Sequence, residues 1–179
     1  MPRYGAFLRA VNLGRHRRVT GAELVSAFEA AGFEQVAAFR TSGNLIFTAP
    51  GAAGEITRRS ETALEDALGF EVPVFVRSER ELRSIAAHEP FDPKMVSSSK
   101  GKLQVSFLAS KPPAAVRRAA LALATDDDRL AIEGRELYWL PSGGTQASVL
   151  DQKALADLVG PATMRTMGTV EAIVAKFFA

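Results

Sequence analysis

The chain has 179 residues, 47% of them hydrophobic and 23% charged, with a formal net charge of +2 and no cysteine. That apolar content supports one sizeable core or two small lobes, and the charge falls short of the dense positive field of a DNA-coating protein. Without thiols, disulfides, iron–sulfur ligation and thiolate catalysis are excluded. No apolar run reaches transmembrane length and MPRYGAF carries no signal-peptide core, so a cytoplasmic protein is expected.

Arg3 to Ala10 is short, aromatic-containing and bounded by NLGR, which predicts a strand. Thr20 and Glu23 form a capping-box pair ahead of Leu24, Phe28 and Ala31, and Gly32 stops that helix. VAAFRT and NLIFTA read as two strands joined through Ser42 and Gly43. Glu55 to Leu68 repeats apolar residues at helical spacing and ends at Gly69, after which FEVPVFVRS is a β-rich run. From Arg3 to Ser78 the order is strand, helix, strand, strand, helix, strand, the split βαβ order of ferredoxin-like folds.

Ser78 and Glu81 open another capped helix, and Ser97 to Lys102 is a polar loop before the strand LQVSFLAS. Pro112 and Pro113 precede a helix through Leu123, and RLAIEGRELYWLP is a hairpin turning at Glu133 and Gly134. Ser148 and Asp151 open a helix closed by Gly160 and Pro161, and a last helix spans Thr169 to Phe178. The expected fold class is α+β, with two ferredoxin-like halves carrying antiparallel sheets packed into one compact unit. Residues 1–78 form the N-terminal lobe and 79–179 a C-terminal lobe of similar element order, with no residue-level repeat between them.

The inventory for catalysis is thin. His16 lies in the basic loop GRHRR and His88 near a helix end, neither with the partner spacing of a metal site. Ser42 lacks the elbow of a nucleophilic serine, and Asp126 to Asp128 read as a solvated turn. No phosphate-loop or dinucleotide fingerprint follows a strand, so no metal or cofactor is expected. What stands out is a basic, amide-rich set at loop positions: Arg9, Asn12 and Gly14 after the first strand, and Arg40, Ser42, Gly43 and Asn44 around the hairpin. In a ferredoxin-like order the first and third strands are neighbours, which brings these loops together ahead of the helix that starts at Thr20. Guanidinium forks, amides and backbone N–H groups there are the ingredients of an anion site. The bland reading of the same residues is a turn network with a solvated arginine face. Strand alternation also puts Phe7 and Phe75 on one sheet face, either an RNA-stacking platform or a surface covered by the second lobe.

At FLRAVNLG, FRTSGNLIF, EVPVFVRS with ELRSIAAHEPF, and GRELYWL, the chain resembles the bacterial family of domain of unknown function 1697, nearly end to end. The family's opening Leu-Arg-Gly-Ile-Asn-Val-Gly-Gly is matched by Leu8, Arg9, Ala10, Val11, Asn12, Leu13 and Gly14, with Arg15 in place of the second glycine, and its Ser-Gly-Asn by Ser42, Gly43 and Asn44. The resemblance implies a compact α+β protein of ferredoxin-like halves and brings no established activity. The chain departs from the family pattern at Ser148, Val149 and Leu150, where relatives have Ser-Lys-Leu, and from Arg165 to Thr169, where they have Arg-Asn-Trp-Asn-Thr. Two functions follow as expectations. In one, Arg9, Asn12, Gly14, Arg40, Ser42, Gly43 and Asn44, with Arg165 from a C-terminal loop, line a pocket between lobes for a small phosphate- or carboxylate-bearing ligand. In the other they are an internal polar network in a protein that binds a nucleic acid or a protein partner.

Overall fold

The computed structural model describes residues 1–9, 18–40 and 43–179. By contact the chain divides into two units, Met1–Ile85 together with Ile173–Ala179, and Ala86–Ala172.

The first unit is built on β1 (Arg3–Leu8), α1 (Gly21–Ala30), β2 (Glu34–Ala38), β3 (Asn44–Thr48), α2 (Ala53–Leu68) and β4 (Val74–Ser78), followed by α3 (Glu79–Ala87). Its four strands run in the order β2-β3-β1-β4, and every adjacent pair is antiparallel. This is the ferredoxin-like order, in which each helix crosses over one intervening strand. Alternation along the strands sends Tyr4, Ala6, Leu8, Leu45, Phe47, Val74 and Val76 into one buried cluster with Leu24, Ala27 and Phe28 of α1 and Ile56 and Leu64 of α2. An aromatic group sits at its centre: Phe33 and Phe47 lie 4.8 Å apart, Phe28 is 5.2 Å from each, and Tyr4 stacks on Phe47 at 5.9 Å. The other face of the sheet is closed as well. Phe7 is 0% and Phe75 4% exposed, so neither ring is open for a base to stack on. Leu82 of α3 packs against this face so closely that a Cβ on Gly5 would fall 2.7 Å from its Cδ1. Position 5 therefore admits no side chain unless Leu82 moves.

The second unit contains α4 (Pro93–Ser98), β5 (Gln104–Leu108), α5 (Ala114–Leu121), β6 (Asp128–Glu133), β7 (Glu136–Pro141), α6 (Gln152–Val159) and β8 (Ala162–Thr166), and leads into α7 (Met167–Phe177). Its sheet is again four-stranded and antiparallel, in the order β6-β7-β5-β8. Leu108, Ile132, Leu137 and Trp139 form its core with Ala120 of α5 and Leu155 of α6.

Four local readings are corrected. The strand β8 and the short helix α4 both fall in stretches read as connections. β8 has only 5 residues and pairs on one side, so its ATMRT sequence carries no long apolar run. The hairpin turns one residue later than expected, at Gly134 and Arg135, with Glu133 opposite Glu136. Helix α6 is capped by Asp151, whose carboxylate accepts the Ala154 N–H at 3.0 Å, while the Ser148 hydroxyl is turned toward Asp128.

Along β3-β1-β4 and β7-β5-β8 the two sheets match residue by residue in register, while the irregularity between Glu34 and Ala37 in the β2–β3 pair has no counterpart in β6–β7. Phe7 faces Asn44 and Phe75 as Phe107 faces Glu136 and Thr163, and Gly5 faces Ile46 and Arg77 as Val105 faces Tyr138 and Arg165. The backbone bonds that close each strand top correspond too: Leu8 N–H to Gly43 O and Leu108 N–H to Arg135 O, both 2.9 Å, and Arg9 N–H to Pro73 O and Ala109 N–H to Pro161 O, at 3.0 and 3.1 Å. Identical residues occupy the matched positions Phe7 and Phe107, Leu8 and Leu108, Leu45 and Leu137, and Arg77 and Arg165. Both arginines turn an Nη1–H back onto the carbonyl of the preceding residue, Val76 at 3.0 Å and Met164 at 2.9 Å.

Candidate functional site

β1 and β2 are both antiparallel to β3, which lies between them. They are therefore parallel to each other and end on the same edge of the sheet. Arg9 follows β1 there and Arg40 follows β2, both exposed, with the start of β3 between them. Two strand spacings separate the chain at these points, about 10 Å. Asn12, Gly14 and Ser42 lie outside the described residues, as does His16.

Gly43 and Asn44 hold this edge together. Gly43 has φ 75°, a left-handed conformation that costs glycine little, and its carbonyl accepts the Leu8 N–H. Asn44, 2% exposed, donates its Nδ2–H to the Phe39 carbonyl at 3.0 Å, while its own carbonyl accepts the Phe39 N–H at 2.9 Å. The amide thus doubles the backbone bond at the neck of the hairpin. Arg40 is also left-handed, at φ 58°, a conformation that costs a residue with a Cβ roughly 1–2 kcal/mol. Its guanidinium carbon lies 5.0 Å from the centroid of the Phe39 ring.

Phe39 collects further partners that sequence reasoning missed. Phe177 meets its ring edge-on at 6.0 Å, and the Lys176 ammonium lies 5.8 Å from its centroid. Nothing in the sequence joins residues so far apart in the chain. The C-terminal segment is held by Arg3, which donates to the Phe177 carbonyl at 2.7 Å, lies over the Phe178 ring at 5.2 Å and pairs with Glu79 at 2.7 Å. Hydrogen bonds from Arg3 and then Arg83 hold the Glu79 carboxyl below the usual carboxylate range.

The helix end expected to help bind an anion is already in use. At the start of α1 the Thr20 Oγ1 accepts the Glu23 N–H at 3.2 Å, and Glu23 Oε2 accepts the Thr20 N–H at 2.8 Å. A carboxylate of the chain itself therefore occupies that helix terminus.

Arg165 lies in β8 of the second unit, in a strand rather than a loop. Its Nη1–H donates to Thr163 Oγ1 and to the Met164 carbonyl, both at 2.9 Å, and burial pushes its pKa down to about 10. The remaining titratable candidates are also placed. His88 packs its ring 5.1 Å from Tyr138. Asp126 and Asp127 are exposed, but Asp128 is 1% exposed and no part of a solvated turn. Its carboxylate accepts from Thr125 Oγ1 and Ser148 Oγ, each at 2.6 Å, and from Trp139 Nε1 at 2.9 Å. Burial raises its pKa, and the bonds from Ser148, Thr125 and Trp139 outweigh this and leave it below the ordinary value. Among the described residues no group of three or more His, Cys, Asp or Glu is arranged to hold a metal ion, and no helix is long and apolar enough to cross a membrane.

The profile of the family described as "Protein of unknown function (DUF1697)" matches residues 1–138, and the chain belongs to that family. No curated protein matches the sequence. Among solved structures, a conserved bacterial protein of Streptococcus pneumoniae superposes with a TM-score of 0.70 over 96% of each chain at 19% identity, a likeness of fold.

Proposed function

We propose that this member of the family binds a small phosphate- or carboxylate-bearing ligand at the sheet edge where Arg9 and Arg40 emerge. One observation carries the reading: two exposed guanidiniums leave parallel strands at the same edge, either side of a hairpin neck whose own polar groups are committed to the fold. A guanidinium fork binds phosphate or carboxylate through two charge-assisted hydrogen bonds, and two forks flanking one strand suit an anion laid across its end. The left-handed backbone at Arg40 adds support, because strained conformations of this kind persist where the surroundings impose them and gather at binding sites. The loop residues Asn12, Gly14 and Ser42 belong to the proposal through the sequence alone. The setting is the cytoplasm expected of a cysteine-free chain.

Thermal melting with inorganic phosphate, citrate and acetate, at low and high salt, tests the proposal on the wild type, Arg9→Ala and Arg40→Ala. The expected result is stabilisation of the wild type that weakens with salt and disappears in both variants, while their unliganded melting temperatures stay close to wild type. Equal stabilisation of all three proteins, or of none, overturns it.

A further inference from the structure

We propose that β8 is a docking edge for a second copy of this chain, the two β8 strands pairing antiparallel about Met164 and joining two four-stranded sheets into one continuous sheet.

A strand at the margin of a sheet presents unpaired N–H and C=O groups, and folded proteins guard such margins. Three of the four margins here are guarded within the chain. The pairing of β2 is irregular between Glu34 and Ala37. On β6 the Asp128 N–H and carbonyl bond Thr125 at 3.2 and 3.0 Å, and Arg117 donates to the Ile132 carbonyl at 3.1 Å. On β4 the bond from Arg9 N–H to Pro73 O fixes the alternation, so Val74, Val76 and Ser78 turn their backbone groups outward. There Glu61 Oε1 accepts the Val74 N–H at 3.1 Å, Glu81 Oε2 accepts the Ser78 N–H at 2.8 Å, and Val76 is 2% exposed.

β8 holds the place of β4 in the second sheet and lacks these guards. The bonds from Ala109 N–H to Pro161 O and from Met167 N–H to Leu103 O turn Ala162, Met164 and Thr166 outward, in the positions of Val74, Val76 and Ser78. Among the described residues nothing bonds their N–H groups. In the place of Glu81 stands Thr169, whose N–H and hydroxyl bond Thr166 Oγ1 instead. Arg165 donates to the Met164 carbonyl as Arg77 does to that of Val76, which leaves the oxygen a second lone pair. The helix before β8 has 8 residues against 16 before β4, and Met164 is 42% exposed. Among the described residues no other large apolar side chain in a strand is so open.

A second β8 fits this edge by its own sequence. With a two-fold axis at Met164, the outward groups of Met164 meet those of Met164 in the second copy, and Ala162 meets Thr166 at either end, each as a hydrogen-bonded pair. The two Met164 side chains fall on one face and cover each other's apolar surface. Arg165 stands opposite Thr163, so no like charges face each other. Pro161 before the strand and α7 after it exclude a shifted register. The paired length is 5 residues, so the dimer is weak and forms as concentration rises.

Sedimentation of the full chain from about 10 µM to about 1 mM reads the dimer, and amide hydrogen exchange reads the edge. A reversible dimer is expected, with the Ala162, Met164 and Thr166 amides exchanging more slowly as concentration rises. Met164→Lys and Met164→Glu should each weaken it about tenfold or more by placing like charges at the axis, while melting near wild type. An equimolar mixture of the two variants should associate again. A wild type that stays monomeric to about 1 mM overturns the proposal and leaves the edge to a foreign strand. So does a dimer of unchanged strength in Met164→Lys, or a mixture that associates no better than its parts. Should a variant melt low, the wild-type exchange decides without any substitution: three amides that exchange at the same rate at every concentration overturn the pairing.

Discussion

The two sheets share strand order, closing backbone bonds and the register of three of their four strands, yet they secure equivalent places by different chemistry. Where β2 begins, the first unit uses rings: Phe33 packs on Phe28 and Phe47, and Arg59 lies 4.6 Å over its face while donating to the Ala31 carbonyl at 2.9 Å. Where β6 begins, the second unit uses a buried carboxylate, with Asp128 gathering Thr125, Ser148 and Trp139. Identical backbone topology thus sets where an anchor is required and leaves its chemistry open. The edges of the sheets differ as well. Where the first has Arg9, Gly43 and Asn44, the second has Ala109, Arg135 and Glu136, so the proposed anion site belongs to one half only.

The largest effects should come from removing the anchors. Phe33→Ala is expected to cost about 3–5 kcal/mol in urea unfolding, through lost ring burial and the cavity it leaves. Asp128→Ala should cost about 3 kcal/mol, because it orphans three donors, one of them the buried indole N–H. Only the second loss depends on pH. The folded-state pKa of Asp128 lies below its ordinary 3.8, so its stabilisation is complete above that value and fades as pH falls through the folded pKa. The stability gap between wild type and Asp128→Ala should therefore narrow on acidification below pH 3.8, whereas the gap for Phe33→Ala should not. A gap for Asp128→Ala that is constant down to pH 2 would contradict the charged network.

Matched positions 5 and 105 offer a sharper contrast. Gly5→Val drives side-chain atoms into Leu82 and should cost about 2–3 kcal/mol by overpacking. Val105→Ala removes two methyl groups from a fully buried site and should cost about 2 kcal/mol. If Gly5→Val melts like wild type, α3 does not bear on that face as the geometry requires. A smaller loss, about 1–2 kcal/mol, is expected of Asn44→Ala, which leaves the Phe39 carbonyl one bond short. The smallest is expected of Arg9→Ala, within about 0.5 kcal/mol of wild type without an anion present, since its side chain is exposed.

Much of the candidate site was legible in the chain. Arg9 and Arg40 stood out as cations at loop positions, and the strand order that brings them to one edge followed from local signals. The commitment of Gly43 and Asn44 to the hairpin was visible only as one of two readings, because a turn amide looks the same whether it bonds a carbonyl or a ligand. Asp128 looked like one of three solvated carboxylates. Its partners Trp139 and Ser148 come from other elements, and it is their arrival that makes burial tolerable. Lys176 gave no signal, since an exposed lysine in a helix is ordinary until an aromatic ring from another part of the chain lies beside it.

By itself the sequence determined the α+β class and most of the element order, because caps, glycine stops and the periods of 2 and 3.6 residues act over short range and are written in neighbouring residues. It also determined that the chain carries no thiol chemistry. Only the tertiary structure decided that ATMRT is a strand, that the register of three strands of one sheet is repeated in the other, and that both faces of the first sheet are closed. Pairing and burial join residues distant in the chain, and a five-residue strand is stabilised by the partner it bonds more than by its own composition.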